Sequence, residues 1–218
     1  MKKIFITALI ACFAFISTNA QENTSIEDTG FTKFQLRVRA LAVVANESAT
    51  IDAIGGDVKI KNDYVPELDL TYFFTKNIAA ELILATTQHD VKAISTAAGD
   101  IPLGDVRLLP PTLTVQYHFN GDIVHPYVGA GVNYTLFYDE NSGPVADKVE
   151  YDNAFGFAFQ LGFDFDITDK WFINLDAKYL LLNTDVTVNA TTALGATVGA
   201  DVDINPFIAG VGIGYRLF

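Results

Sequence analysis

The chain has 218 residues, half of them apolar, with 17 Phe, 9 Tyr, one Cys and a formal net charge of -12. That length suits one domain or one barrel, and a negative balance with no basic cluster excludes nucleic acid as a partner, because nothing is gathered to neutralise phosphates. A helical membrane protein is excluded beyond residue 20, where no run of 18 apolar residues occurs.

Met1 to Ala20 reads as an export signal: Lys2 and Lys3, an apolar run from Ile4 to Ile16, then the small-x-small site Thr18-Asn19-Ala20. The organisation expected is therefore a cleaved signal peptide over 1–20 and an outer-membrane barrel over 21–218. Leu9-Ile10-Ala11-Cys12 offers a competing reading as a lipoprotein box, against which the apolar run continues past Cys12. Cleavage after Ala20 removes the only cysteine and both leader lysines, taking the charge to -14 and leaving no thiol for a disulfide or a nucleophile.

Gln21 to Gly30 is a polar lead. From Phe31 to Val44 the chain alternates, with Phe34, Leu36, Val38, Ala40, Ala42 and Val44 on one face and Lys33, Gln35, Arg37 and Arg39 on the other. A period of two is that of a strand, since a helix would scatter these residues around its circumference. The pattern returns in Tyr64 to Thr75, Ile78 to Gln88, Leu108 to Phe119, His125 to Tyr138, the Phe-rich stretch Phe155 to Phe165, Trp171 to about Val188, and Val202 to Phe218. Short turns at Thr75-Lys76-Asn77, Asn120 to Val124 and Ile167 to Lys170 alternate with long segments, Ala45 to Asp63, His89 to about Arg107, Asp139 to about Glu150, and one reaching about Asp201.

The fold expected is all-β: an eight-stranded antiparallel up-and-down transmembrane β-barrel with short periplasmic turns and four longer extracellular loops. Aromatics near strand ends fit the two membrane interfaces: Tyr72, Phe74, Tyr117, Phe119, Tyr127 and Trp171 on the turn side, Tyr64, Tyr138 and Tyr151 on the loop side. The alternative is a soluble lipocalin-like barrel, greasy inside and charged outside. Here the aliphatic and aromatic face runs continuously over eight strands, and the opposite face is small and polar.

Five segments carry a resemblance: Leu36 to Ala40, Pro66 to Thr75, Asn77 to Leu82, Leu109 to Phe119 and Pro126 to Tyr134. With Asp169 to Phe172 and Asn174 to Tyr179 they resemble the outer-membrane protein W (OmpW) family over nearly all of the mature chain. The resemblance implies an eight-stranded barrel of the bacterial outer membrane with a narrow passage for small hydrophobic molecules. Its partners would be outer-membrane lipid, those molecules, and the barrel-assembly and periplasmic chaperone machinery. The chain departs from the family pattern at Tyr215-Arg216-Leu217-Phe218, where the facing of the terminal aromatic is left open.

No enzyme is expected. Ser25, Ser48, Ser95 and Ser142 lie in the lead or the loops while His118 sits at a periplasmic turn, too far along the axis for a Ser-His pair. His89, His118 and His125 lack metal-ligand spacing, and no helix follows the Gly-rich stretches, so no cofactor is expected.

Residue parity assigns the lumen. Arg37, Arg39, Glu67, Asp69, Glu81, Asp164, Asp176 and Lys178 form a polar floor, joined by Gln116, Asn174 and Arg216. Leu41, Val43, Val65, Ile83, Leu180, Leu182, Ile204 and Ile208 form an apolar upper lumen that would take the ligand. Eight strands leave room for packed side chains or one small ligand, so a packed interior that only stabilises a structural or adhesive barrel is the competing reading. Pro66, Pro110, Pro111 and Pro206 recur at one height and lack the N–H a closed ladder would use, which predicts a lateral gap beside at least one of them. Strand prolines can equally mark the end of pairing near the loops.

Overall fold

The computed structural model describes residues 32–217, apart from Ala53 and Ala98. The expected signal peptide, Cys12 and the terminal Phe218 lie outside the described residues. Fifteen strands and one short helix follow in chain order: β1 (Phe34–Val44), β2 (Ser48–Ile51), β3 (Asp57–Ile60), β4 (Asp63–Phe73), β5 (Ile78–Ala85), β6 (Thr87–Thr96), β7 (Gly99–Leu109), β8 (Thr112–His118), β9 (Val124–Ser142), β10 (Lys148–Tyr151), β11 (Ala154–Asp166), β12 (Trp171–Leu181), β13 (Asn183–Ala190), α1 (Thr191–Leu194), β14 (Ala196–Asp203) and β15 (Phe207–Arg216).

Eight of these close a barrel. Antiparallel ladders run from β1 through β4, β5, β8, β9, β11, β12 and β15 and return to β1. Closure leaves no sheet edge in the hydrocarbon, the condition under which a β-structure can span a bilayer. The outer wall is apolar and bare: Val38, Leu113, Phe155 and Val211 each expose half or more of their surface. Paired rings gather at the turn end, Phe34 with Tyr72 at 4.9 Å and Trp171 with Tyr215 at 4.7 Å between centroids, where amphipathic rings suit a membrane interface.

The four segments read as loops are largely strands. β3, β6 and β7 extend the wall on the upper part of β9, and β10, β13, β14 and β2 form a second, four-stranded sheet. At 19 residues β9 spans about 60 Å at ~3.3 Å per residue, well beyond the ~30 Å hydrocarbon core, so the wall continues outside the membrane. Four predicted strands are interrupted rather than continuous, at Thr86, at Pro110-Pro111, at Leu182 and at residues 204–206. The pieces beyond these points pair with new neighbours, and the two extracellular walls pack on a shared apolar cluster that includes Val58, Val91, Val106, Val149, Val186 and Val202.

Two predicted interfacial rings are elsewhere: Tyr151 lines the interior between the extracellular walls, stacked on Phe137, and Tyr127 stands furthest from its predicted place. Tyr127 is fully buried inside the barrel, because an odd position on β9 faces the lumen and Gly162 opposite makes room: a Cβ at Gly162 would lie 2.2 Å from the Tyr127 ring. Gly214 does the same for the buried Phe172. These glycines are the spaces into which two large rings fit.

Candidate functional site

On four of the inward faces the chemistry changes at one height, while β8 and β9 stay polar through Thr112, Asn133 and Thr135. β1 carries Gln35, Arg37 and Arg39 and then Leu41 and Val43; β12 carries Asn174, Asp176 and Lys178 and then Leu180; β5 passes from Glu81 to Ile83 and β4 from Glu67 to Val65. Successive inward residues on a strand are about 6.6 Å apart, so a charged layer gives way to an apolar one within a single step.

The structure brings all eight predicted floor residues into one network. Arg37 donates to Asp69 at 3.3 Å, Glu81 at 3.1 Å and Asp164 at 3.0 Å. Arg39 meets Glu67 at 2.8 Å, Asp69 at 2.6 Å, Glu81 at 2.8 Å and Asp176 at 3.1 Å. Lys178 donates to Glu67 at 2.9 Å and Asp176 at 2.7 Å. All eight are buried, and the five carboxylates outnumber the three cations.

Neutral groups complete the layer. Gln116 and Gln160 donate to Glu81 Oε2 at 2.7 and 2.8 Å, and the Tyr127 hydroxyl donates to Asp176 Oδ2 at 2.7 Å. The Arg37 guanidinium also lies over the Tyr127 and Phe172 rings, 5.5 and 5.4 Å from their centroids. Arg216 is not part of this floor: it stands at the periplasmic rim, bonded to Asp166 at 2.6 Å. His118 is buried at the same end with its Nε2 2.9 Å from Gln116 Oε1.

Above the floor, Leu41, Val43, Leu180 and Ile208 pack with Ala158, and the half-buried Val65 leans on them. Leu182 and Ile204 sit one layer higher, in the cluster shared with the extracellular walls. A cavity of about 120 Å³ runs through both layers, with Ile83, Glu67 and Lys178 also in its lining. Parity alone could have found the extracellular lining residues Val91, Ala93, Val186 and Val198, had those segments been read as strands. In the extracellular lining, burial, reinforced by Glu140 and Asp105, holds the Tyr151 hydroxyl well above its usual pKa, so that it stays neutral while stacking on Phe137 at 5.4 Å.

The prolines differ among themselves. β4 pairs with β1 up to Asp63, but with β5 only as far as Glu67 opposite Ala85. Beside Pro66, residues 63–66 thus have no ladder partner on the β5 side among the described residues; a bond from Gln88 N to Asp63 Oδ2 at 2.8 Å crosses above. The β5–β8 ladder stops at Ile83 opposite Thr112, and pairing resumes only with Thr87 opposite Leu108. Pro110 and Pro111 stand in that break, while their carbonyls remain tied to β9 through Asn133 Nδ2 at 3.2 Å and Tyr134 N at 3.1 Å. Around Pro206 the wall is closed: Leu180 N donates to Pro206 O at 3.1 Å, and the Asn205 side chain accepts from Leu182 N at 2.9 Å where the ladder would otherwise lapse.

A closed eight-stranded barrel with an apolar, ring-girdled outer wall is a protein of the bacterial outer membrane. Residues 31–217 match the family model described as the OmpW family, and the chain belongs to that family. It is 40% identical over 189 residues to an uncharacterized outer-membrane protein, y4mB, of Sinorhizobium fredii, covering 86% of this chain and 81% of that one. It is 33% identical over 195 residues to outer membrane protein W of Vibrio cholerae, covering 84% and 88%. The solved structure of OprG from Pseudomonas aeruginosa superposes with a TM-score of 0.80 at 29% identity, covering 85% of this chain and 96% of that one.

Proposed function

We propose that the barrel gives small hydrophobic molecules passive entry from the outer surface into its apolar upper lumen and releases them sideways into the membrane. The observation that carries this reading is the abrupt boundary between an apolar cavity and a fully buried ionic floor. An apolar molecule gains by leaving water for the upper lumen, and it would have to break several buried ion pairs to continue toward the periplasm, each costly to disrupt. Lateral release is supported by the unpaired backbone between β4 and β5 beside Pro66, next to Val65, Leu84 and Ala85. The cavity, at about 120 Å³, is close to the ~150 Å³ of an apolar protein cavity that takes benzene, which sets the size of a molecule that enters without moving the walls.

The second reading is a closed structural or adhesive barrel whose extracellular part makes the contacts. It is favoured by the apolar packing between the two extracellular walls, which narrows the way in. Uptake of radiolabelled toluene by cells with and without the chain separates the two. Faster entry with the chain supports passage, and equal entry at equal surface expression supports the closed barrel.

A further inference from the structure

Resting on the proposed passage, we infer that the same cavity sorts amphiphiles by the charge of the head group, taking ammonium and neutral heads and rejecting carboxylates. The base of the cavity is not apolar. Glu67 and Lys178 form part of its lining, and a polar head carried by an apolar tail would come to rest on them while the tail lies among Leu41, Val43 and Leu180.

What that head meets is set by how the ions beneath are already engaged. Lys178 Nζ lies between Glu67 and Asp176, at 2.9 and 2.7 Å, so a carboxylate approaching it also approaches two others. Both ion pairs of Glu67 fall on Oε1, from Arg39 and from Lys178, which leaves its Oε2 as the acceptor open to a ligand. Beneath these two, Asp69, Glu81, Asp164 and Asp176 surround Arg37 and Arg39, both fully engaged, so the layer has no spare cation to offer. The way in has the same sign: Glu140 and Asp105 act on Tyr151 in the lining, and acidic residues far outnumber basic ones in the extracellular segments. A donor head pairs with Glu67 Oε2, whereas an anionic head adds a like charge to a desolvated negative site. Glu67 is the specificity-determining residue.

The test uses the full chain in nanodiscs of zwitterionic lipid, so that the bilayer does not itself select by charge. Dissociation constants of hexylammonium, hexanol and hexanoate are read near neutral pH from the NMR shifts of the Leu41, Val43 and Leu180 methyls. Hexylammonium should bind at least about tenfold more tightly than hexanoate, with hexanol between them. In Glu67→Gln the ratio should fall below about threefold, while about 0.5 M NaCl should leave the wild-type ratio largely intact, because buried pairs are screened little. A wild-type ratio near one with hexanol still binding overturns the charge selection alone. Failure of hexanol to bind overturns the passage reading with it. A ratio that vanishes in salt places the selection at the acidic surface rather than at Glu67 and overturns the assignment even if the Glu67→Gln barrel does not fold.

Discussion

Arg39 and Glu67 are register partners across β1 and β4, and their side chains meet inside the barrel with Arg39 Nε 2.8 Å from Glu67 Oε1. Two residues lower the relationship repeats in Arg37 and Asp69, at 3.3 Å. An antiparallel ladder holds the sum of paired residue numbers constant, so both pairs follow from one register. The two arginines serve as hubs of the floor, each held by at least three carboxylates.

That position predicts a stability difference. Arg37→Ala leaves Asp164 buried without a cation and Asp69 and Glu81 with Arg39 alone, and should cost about 3–5 kcal/mol. Lys33→Ala, at an exposed site, should cost no more than about 0.5 kcal/mol. Unfolding of both variants by guanidinium in lipid vesicles checks this, and equal midpoints would show that the floor does not hold the barrel together.

The upper lumen predicts a loss of passage without a loss of fold. Val43→Asp or Leu182→Asp buries a carboxylate in the apolar lining and should cut toluene entry by about tenfold, since an ionised group there holds water that the apolar molecule must displace. Retained heat-resistant mobility on a gel would establish that both variants still form the barrel. Wild-type entry rates in both would favour the closed barrel.

The lapse of pairing between β4 and β5 predicts where release occurs. Thr86 is exposed at the foot of the β4–β5 gap, one position past the last pair Glu67–Ala85, its Oγ1 2.5 Å from the Tyr138 hydroxyl. Thr86→Trp places an indole over that part of the outer wall and should slow the transfer of toluene into the bilayer by about fivefold, while Ile204→Trp, beside the closed wall at Pro206, should leave lateral transfer less affected than total binding. Stopped-flow transfer to acceptor vesicles separates release from binding, and an unaltered release rate in Thr86→Trp would move the exit away from this gap.

The fit of Tyr127 against Gly162 predicts a size effect inside the floor. Gly162→Ala forces a methyl into the Tyr127 ring and should cost about 1–3 kcal/mol. Tyr127→Ala removes the ring and also the donor to Asp176. The double variant should be less destabilised than the sum of the two, because the methyl then enters the space the ring has left. Strict additivity in urea unfolding would mean that the two residues do not compete for one space.

Why so much of the floor was legible follows from strand geometry. A side chain on a strand has only two directions, so once the lipid face is recognised from residues such as Val38 and Phe157, the inward identity of Arg37 and Gln160 follows; the constant index sum supplies the Arg37–Asp69 pair but not contacts across the lumen such as Gln160 with Glu81. Tyr127 escaped because an aromatic near a turn suits the interface as well as the lumen; its parity with Asn133 and Thr135 points it inward, and the glycine across the ladder gives it room. The extracellular strands escaped for another reason. β2, β3 and β10 are only four residues long, and the longer β6 and β7 carry polar residues such as Thr87 and His89 on the inward face and pair through register shifts such as that between Val91 and Lys92, so their alternation does not stand out from a loop. Ladder pairing lapses beside Pro66 and Pro110-Pro111, while beside Pro206 nothing in the residue order told that Asn205 would close the wall.

The account turns on whether an apolar molecule occupies the upper lumen above the ionic floor. A crystal of the barrel soaked in 1-bromobutane and measured at the bromine absorption edge tests this directly. The account predicts anomalous density between Leu41, Val43, Leu180 and Ile208, above Lys178 and below Leu182. Bromine found only on the outer wall, with the lumen filled by its own side chains, would contradict it.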